Sequence, residues 1–151
     1  MALHSVMLVA MRDYFLAQSA VKLRIKDRFH HVWPKDRLLS QENPSTNPFP
    51  QTMEFATYRV NGASVGRVNN RDSLQRAANV EIAVYSRLPD DAESLFETFY
   101  GSIASNHYTG TWTATRIQFA AWDHDSYSEE YDDGIGMCRT SATLVVKYNY
   151  T

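Results

Sequence analysis

The chain has 151 residues, a formal net charge of −2 and one cysteine, Cys138. At that length the simplest organisation is one domain spanning 1–151, able to bury roughly two-thirds of its unfolded surface in a single core. The slight acidity excludes a global pull toward nucleic acid or an anionic membrane, and a lone cysteine excludes an intramolecular disulfide. No apolar run approaches the length needed to cross a bilayer.

The opening MALHSVMLVAM resembles the apolar part of a signal peptide. It lacks a basic n-region, however, and Arg12-Asp13 cut it short, so it reads as mature protein. Leu3, Val6, Met7, Ala10, Tyr14 and Ala17 fall at helical spacing, with Met11 and Phe15 broadening the stripe. That pattern predicts an amphipathic helix over residues 3–18. Next, Lys22, Arg24, Lys26 and Arg28 alternate with Leu23 and Ile25, and a short strand is expected from Phe29 to Trp33, stopped by Pro34. Four prolines between Pro34 and Pro50, spaced by Ser, Asn and Thr, predict a long surface loop.

Thr52 to Val60 reads as a strand carrying Phe55, Tyr58 and Val60, followed by the turn signal Asn61-Gly62. A short segment at Val65 to Val68 and the polar Asn69 to Asp72 lead into a second strand from Leu74 to Arg87. The natural reading is a hairpin across Asn61 to Asp72, with its turn at either end. Within the second strand Val80, Ile82 and Val84 alternate with Asn79, Glu81 and Ala83, as one buried face requires.

Pro89 breaks that strand, and the spacing changes at once. Ala92, Leu95, Phe96, Phe99, Tyr100 and Ile103 form one apolar helical stripe, and Asp90 is placed to cap the first turn with Glu93 as its capping-box partner. A strand that turns directly into such a helix implies that the helix lies on the strand's own sheet. After a turn at Asn106 to Gly110, the residues Thr113, Thr115, Ile117, Phe119 and Ala121 share one strand face. The stretch DHDSYSEEYDDGIG, Asp123 to Gly136, reads as an acidic loop. Leu144, Val146, Tyr148 and Tyr150 then mark a last strand, antiparallel to the previous one. The fold class is α+β: an antiparallel β-sheet covered by two amphipathic helices, with long surface loops. Regular βαβ alternation is missing, which argues against a doubly wound nucleotide-binding fold.

Chemistry is sparse. Asp123-His124-Asp125 could offer ligands to a divalent ion, but an EF-hand needs Gly at its sixth position and Glu at its twelfth, where Ser128 and Gly134 stand. A solvated acidic surface fits better. His30 and His31 are adjacent, so in a strand their rings point apart. No nucleophile elbow, Walker loop or dinucleotide turn occurs, and Cys138 reads as a packing residue. The expectation is a protein with no catalytic residue, cofactor or metal.

Charge, by contrast, is segregated. Six Lys or Arg against Asp27 and Asp36 give Lys22 to Arg37 a charge of +4, while Asp123 to Gly136 carries six carboxylates and no Lys or Arg. These are two solvated surfaces, an intramolecular pair, or a heterologous contact in which one copy's basic patch meets the next copy's acidic stretch and rotation closes a ring. The candidate interface residues are Lys22, Arg24, Lys26 and Arg28 on one side. Asp123, Asp125, Glu129, Glu130, Asp132 and Asp133 form the other.

The succession of an N-terminal helix, a short basic strand ending in Trp33-Pro34, a Pro-rich loop, a strand at Phe55 to Val60, then VEIAVYSRLPDDAESLFETFY and a final alternating strand resembles the tail terminator, or tail completion, family of tailed bacteriophages. The likeness covers nearly the whole chain in architecture and is closest at Val80 to Ile103. The acidic insertion before the last strand departs from the shorter loop of the family's pattern. The resemblance implies a non-enzymatic virion protein, assembled in the host cytoplasm and located in the virion tail. It implies a homo-oligomeric ring, usually a hexamer, that caps the tail tube protein and meets the neck or connector protein, with Pro34 to Pro50 and Asp123 to Gly136 as contact segments. No specific nucleic acid and no membrane enter that picture. The rivals are a neck or head-completion protein of the same assembly, a small ligand-binding α+β domain, and a nucleic-acid module using the basic run.

Overall fold

The computed structural model describes residues 5–31, 54–67, 74–103, 110–112, 115–134 and 136–149. Among these there are three helices, α1 (Ser5–Ala17), α2 (Ser19–Ile25) and α3 (Pro89–Gly101). Six strands accompany them: β1 (Phe29–His31), β2 (Phe55–Arg67), β3 (Leu74–Ser86), β4 (Gly110–Trp112), β5 (Thr115–Asp132) and β6 (Met137–Asn149). The strands form one sheet in the order β1-β2-β3-β6-β5-β4. All neighbours are antiparallel except the edge pair β1 and β2, where Phe29 lies against Ala56. The α+β class therefore holds, with three helices where the sequence predicts two.

The unforeseen helix is α2. Only Val21 and Ile25 of its seven residues are buried, so its apolar signal is one i, i+4 pair, too little to declare a helical period. It turns off α1 at Gln18, whose extended backbone (φ −75°, ψ 121°) interrupts the ladder. Arg12 of α1 then donates from Nε to the Phe29 carbonyl at 2.9 Å, tying the helix to the first strand.

The helix-facing side of the sheet holds Ala78, Val80, Ile82 and Val84 of β3 beside Ala142, Leu144, Val146 and Tyr148 of β6, all buried. They share that face because Val80 pairs with Leu144 and Ile82 with Ala142. Helices α1 and α3 lay Met7, Met11, Phe15, Leu95 and Phe99 on them. Phe15 and Phe99 meet at 5.2 Å between ring centroids, and Phe29 stands edge-on to Phe99 at the same distance. Burial of such side chains is the main source of stability.

One local reading needs correction, and one left open is decided. The helix after Pro89 starts on the proline itself, with Leu88 as N-cap and no side-chain cap. Proline at N1 lacks only an N–H that would go unused, so Asp90 lies within the first turn instead of capping it. Asn61-Gly62 is not the hairpin turn: β2 runs on to Arg67, which pairs with Leu74, and the register shift between Val60 and Gly62 marks a bulge. Residues 32–53 and 104–109, which include the expected Pro34 to Pro50 loop and most of the Asn106 to Gly110 turn, lie outside the described residues.

The larger correction concerns Asp123 to Gly136. It is not a loop, because β5 continues to Asp132 and pairs with β6 down to Met137. Among the described residues of this stretch, Asp133, Gly134 and Gly136 form the turn. Gly136 takes φ +69°, and its N–H reaches the Asp132 carbonyl at 2.8 Å. Both faces of the arm's outer half carry polar groups, so no apolar alternation betrays the strand.

Candidate functional site

The four basic residues divide by helix geometry. In α2 and the turn after it, Lys22 and Lys26 lie four apart and are exposed, while Arg24 and Arg28 are half-buried on another flank. Arg24 grips Glu54 through Nε to Oε1 (3.1 Å) and Nη2 to Oε2 (2.5 Å), and donates from Nη1 to the Ser94 hydroxyl (2.9 Å). Arg28 donates from Nε to the Glu54 carbonyl at 2.8 Å. Its guanidinium is held below its ordinary pKa by burial, against the opposing pull of Asp27 and Glu54. Arg24 and Arg28 are thus committed inside the chain, and Lys22 and Lys26 carry the outward charge.

Of the acidic residues, Glu130 takes a hydrogen bond from Arg139 Nη1 at 2.9 Å, and Asp132 Oδ1 accepts the Gly134 N–H at 2.9 Å within the turn. Asp123, Asp125, Glu129 and Asp133 are exposed. Arg139 also meets Glu81 at 2.5 Å, and Arg59 reaches the same carboxylate at 3.3 Å. Tyr85 accepts from Arg139 Nε at 3.2 Å. This network spans β2, β3, β6 and β5 on the face away from the helices, beside a small apolar cluster of Phe55, Ala83, Tyr85 and Met137.

Where β5 passes α3 it bulges. Asp123 pairs with Thr143 and Ser128 with Ser141, so the four residues from His124 to Tyr127 stand opposite Ala142 alone. Ser126 stitches the defect: its hydroxyl accepts the Thr143 N–H at 2.7 Å and donates to the Asp123 carbonyl at 2.5 Å. The bulge turns Tyr127 back onto α3, edge-on to Phe96 at 5.5 Å. A groove of about 410 Å³ results between α3 and β5. Phe96, Tyr100, Trp122 and Tyr127 supply its aromatic walls, and Glu93, Glu97 and Asp123 its rim. The Trp122 indole N–H is already satisfied by the Tyr100 carbonyl at 3.2 Å. Burial, reinforced by Glu129, pushes the Tyr127 hydroxyl pKa up. Sequence reading missed this groove, because its walls come from two elements and the bulge looks like loop composition.

Among the described residues no cluster of three His, Cys, Asp or Glu side chains could hold a metal ion, and no helix is long and apolar enough to cross a membrane. His31 stacks on Tyr58 at 5.0 Å, and partly buried Cys138 makes a long 3.8 Å contact to the Arg87 carbonyl. The groove has an acidic, aromatic lining that also includes His124, and the Tyr127 hydroxyl donates to Glu129 Oε1 at 2.5 Å. That arrangement suits recognition of a cationic or apolar surface.

No protein-family model matches the chain, and no curated protein does. Its fold is similar to that of a chain from the virion of a native gene transfer agent particle. The two share 8% identity at a TM-score of 0.64, over 93% of this chain and 92% of that one.

Proposed function

We propose that this chain is a structural protein of a phage-like virion, and specifically a tail terminator: a ring that caps the tail tube, ends its growth and offers its far side to the neck. The observation that carries the reading is the fold likeness to a virion chain, which runs almost the full length of both. The surface supports it. Exposed charge is separated, with Lys22 on α2 and Lys26 in the turn after it, and Asp123, Asp125, Glu129 and Asp133 along the β5–β6 arm. Such asymmetry favours head-to-tail contacts, which give a ring when the rotation between copies closes. On this reading the protein works without catalysis or cofactor, and its partners are its own copies, the tail tube protein and the neck or connector protein.

Electron microscopy of the purified chain mixed with purified tail tubes tests the proposal. A collar at one end of each tube is expected, with arrested elongation. Binding to filled heads and not to tubes would favour the neck or head-completion alternative. A chain that ignores both would overturn the virion reading.

A further inference from the structure

The helical layer carries a projection and a recess of complementary chemistry. Leu23 of α2 is 82% exposed, the most exposed large hydrophobic side chain among the described residues. Lys22, next to it on α2, and Lys26, in the turn that ends the helix, are exposed as well, so the projection carries two ammonium groups beside one apolar side chain. The recess is the groove between α3 and β5, aromatic inside and rimmed by Glu93, Glu97 and Asp123.

Their placement decides who can fill the groove. Helix α2 packs on the flank of α3 that bears Asp91 and Ser94, where Arg24 donates to the Asp91 carbonyl at 3.1 Å and to the Ser94 hydroxyl. The groove opens on the opposite flank, beside Glu93, Glu97 and Tyr100. The projection of a chain therefore points away from its own recess. We propose that the groove receives α2 of a second copy, with that copy's Leu23 against the aromatic walls and its Lys22 and Lys26 ammonium groups on the carboxylate rim. Lysine stems cover apolar surface while their heads pair, and an ammonium over an aromatic face gains further. Because the two surfaces differ, the contact is heterologous, and each copy keeps one of each to offer. The inference deepens the ring reading by naming its contact.

The full chain serves for the test, in a Cys138→Ser background. Oxidation of a Lys26→Cys, Glu97→Cys double variant is expected to give a ladder of linked chains. A mixture of the two single-cysteine variants should stop at dimers, and neither single variant alone should cross-link. By sedimentation velocity, Lys22→Glu with Lys26→Glu should weaken self-association at least about tenfold, and Glu93→Lys with Glu97→Lys should do the same. Combining all four reversals should restore it. Circular dichroism confirms that each variant is folded. Rings that persist in the reversed variants and leave the cysteines unlinked would overturn the contact while leaving tube capping intact. Linked chains that fail to bind tail tubes would keep the contact and sink the tail-terminator reading. Chains that stay single, free and on tubes, would overturn the contact.

Discussion

Arg24 and Glu54 face each other through two parallel hydrogen bonds, with side chains only 23% and 22% exposed. Ser86 also donates to Glu54 Oε2 at 2.8 Å, so one carboxylate joins α2, the entry to β2 and the end of β3. Paired forks of this kind are stronger and more directional than a lysine contact.

Arg24→Ala should therefore lower stability by about 1–2 kcal/mol, half-buried pairs lying between exposed and buried ones. Arg24→Lys should recover only part of the loss. Urea denaturation measures both, and full recovery by lysine would show that the planar fork is irrelevant.

Glu81 lies under two arginines on the open face. Burial alone would raise its pKa, but the Asn61 amide, Arg139 and Arg59 outweigh that and hold it below its ordinary value. A group depressed on folding stabilises above its unfolded value, and that contribution fades as pH falls through the folded value. Glu81→Gln should cost about 1 kcal/mol at neutral pH and flatten the fall in stability below about pH 4.3. Parallel acid limbs for the two proteins would count against the assignment.

Lys26 takes φ 56° and ψ −111° at the end of α2, and Arg28 N–H closes the turn on the Ile25 carbonyl at 2.9 Å. Those angles suit the first central position of a type II′ turn, where glycine is favoured. Lys26→Gly should gain about 1 kcal/mol, strain relief exceeding the added entropy of the unfolded chain. Lys26→Ala should gain nothing. A drop in melting temperature for the glycine variant would refute the argument.

Phe99 is fully buried between Phe15 and Phe29. Phe99→Ala should cost about 3–5 kcal/mol, the transfer loss plus an unfilled cavity joining α1, α3 and β1. A cost below about 1 kcal/mol would mean that these elements do not share one core.

The strong periods were legible in the chain alone. Val80, Ile82 and Val84 declare a half-buried strand, and Leu95, Phe96 and Phe99 a helix on it, because each residue's partner is the same core. Composition likewise isolated the two charged stretches. What the sequence left undecided was everything that depends on a neighbour from another element. Lys22, Arg24, Lys26 and Arg28 look alike along the chain, yet Glu54 claims two of them. Asp123 to Asp132 looks like loop because a strand wet on both faces has no alternation to display. The groove existed only once a bulge in β5 met the flank of α3. Burial leaves a local mark on the sequence, whereas pairing across space does not, and that difference separates what was readable from what the tertiary structure decided.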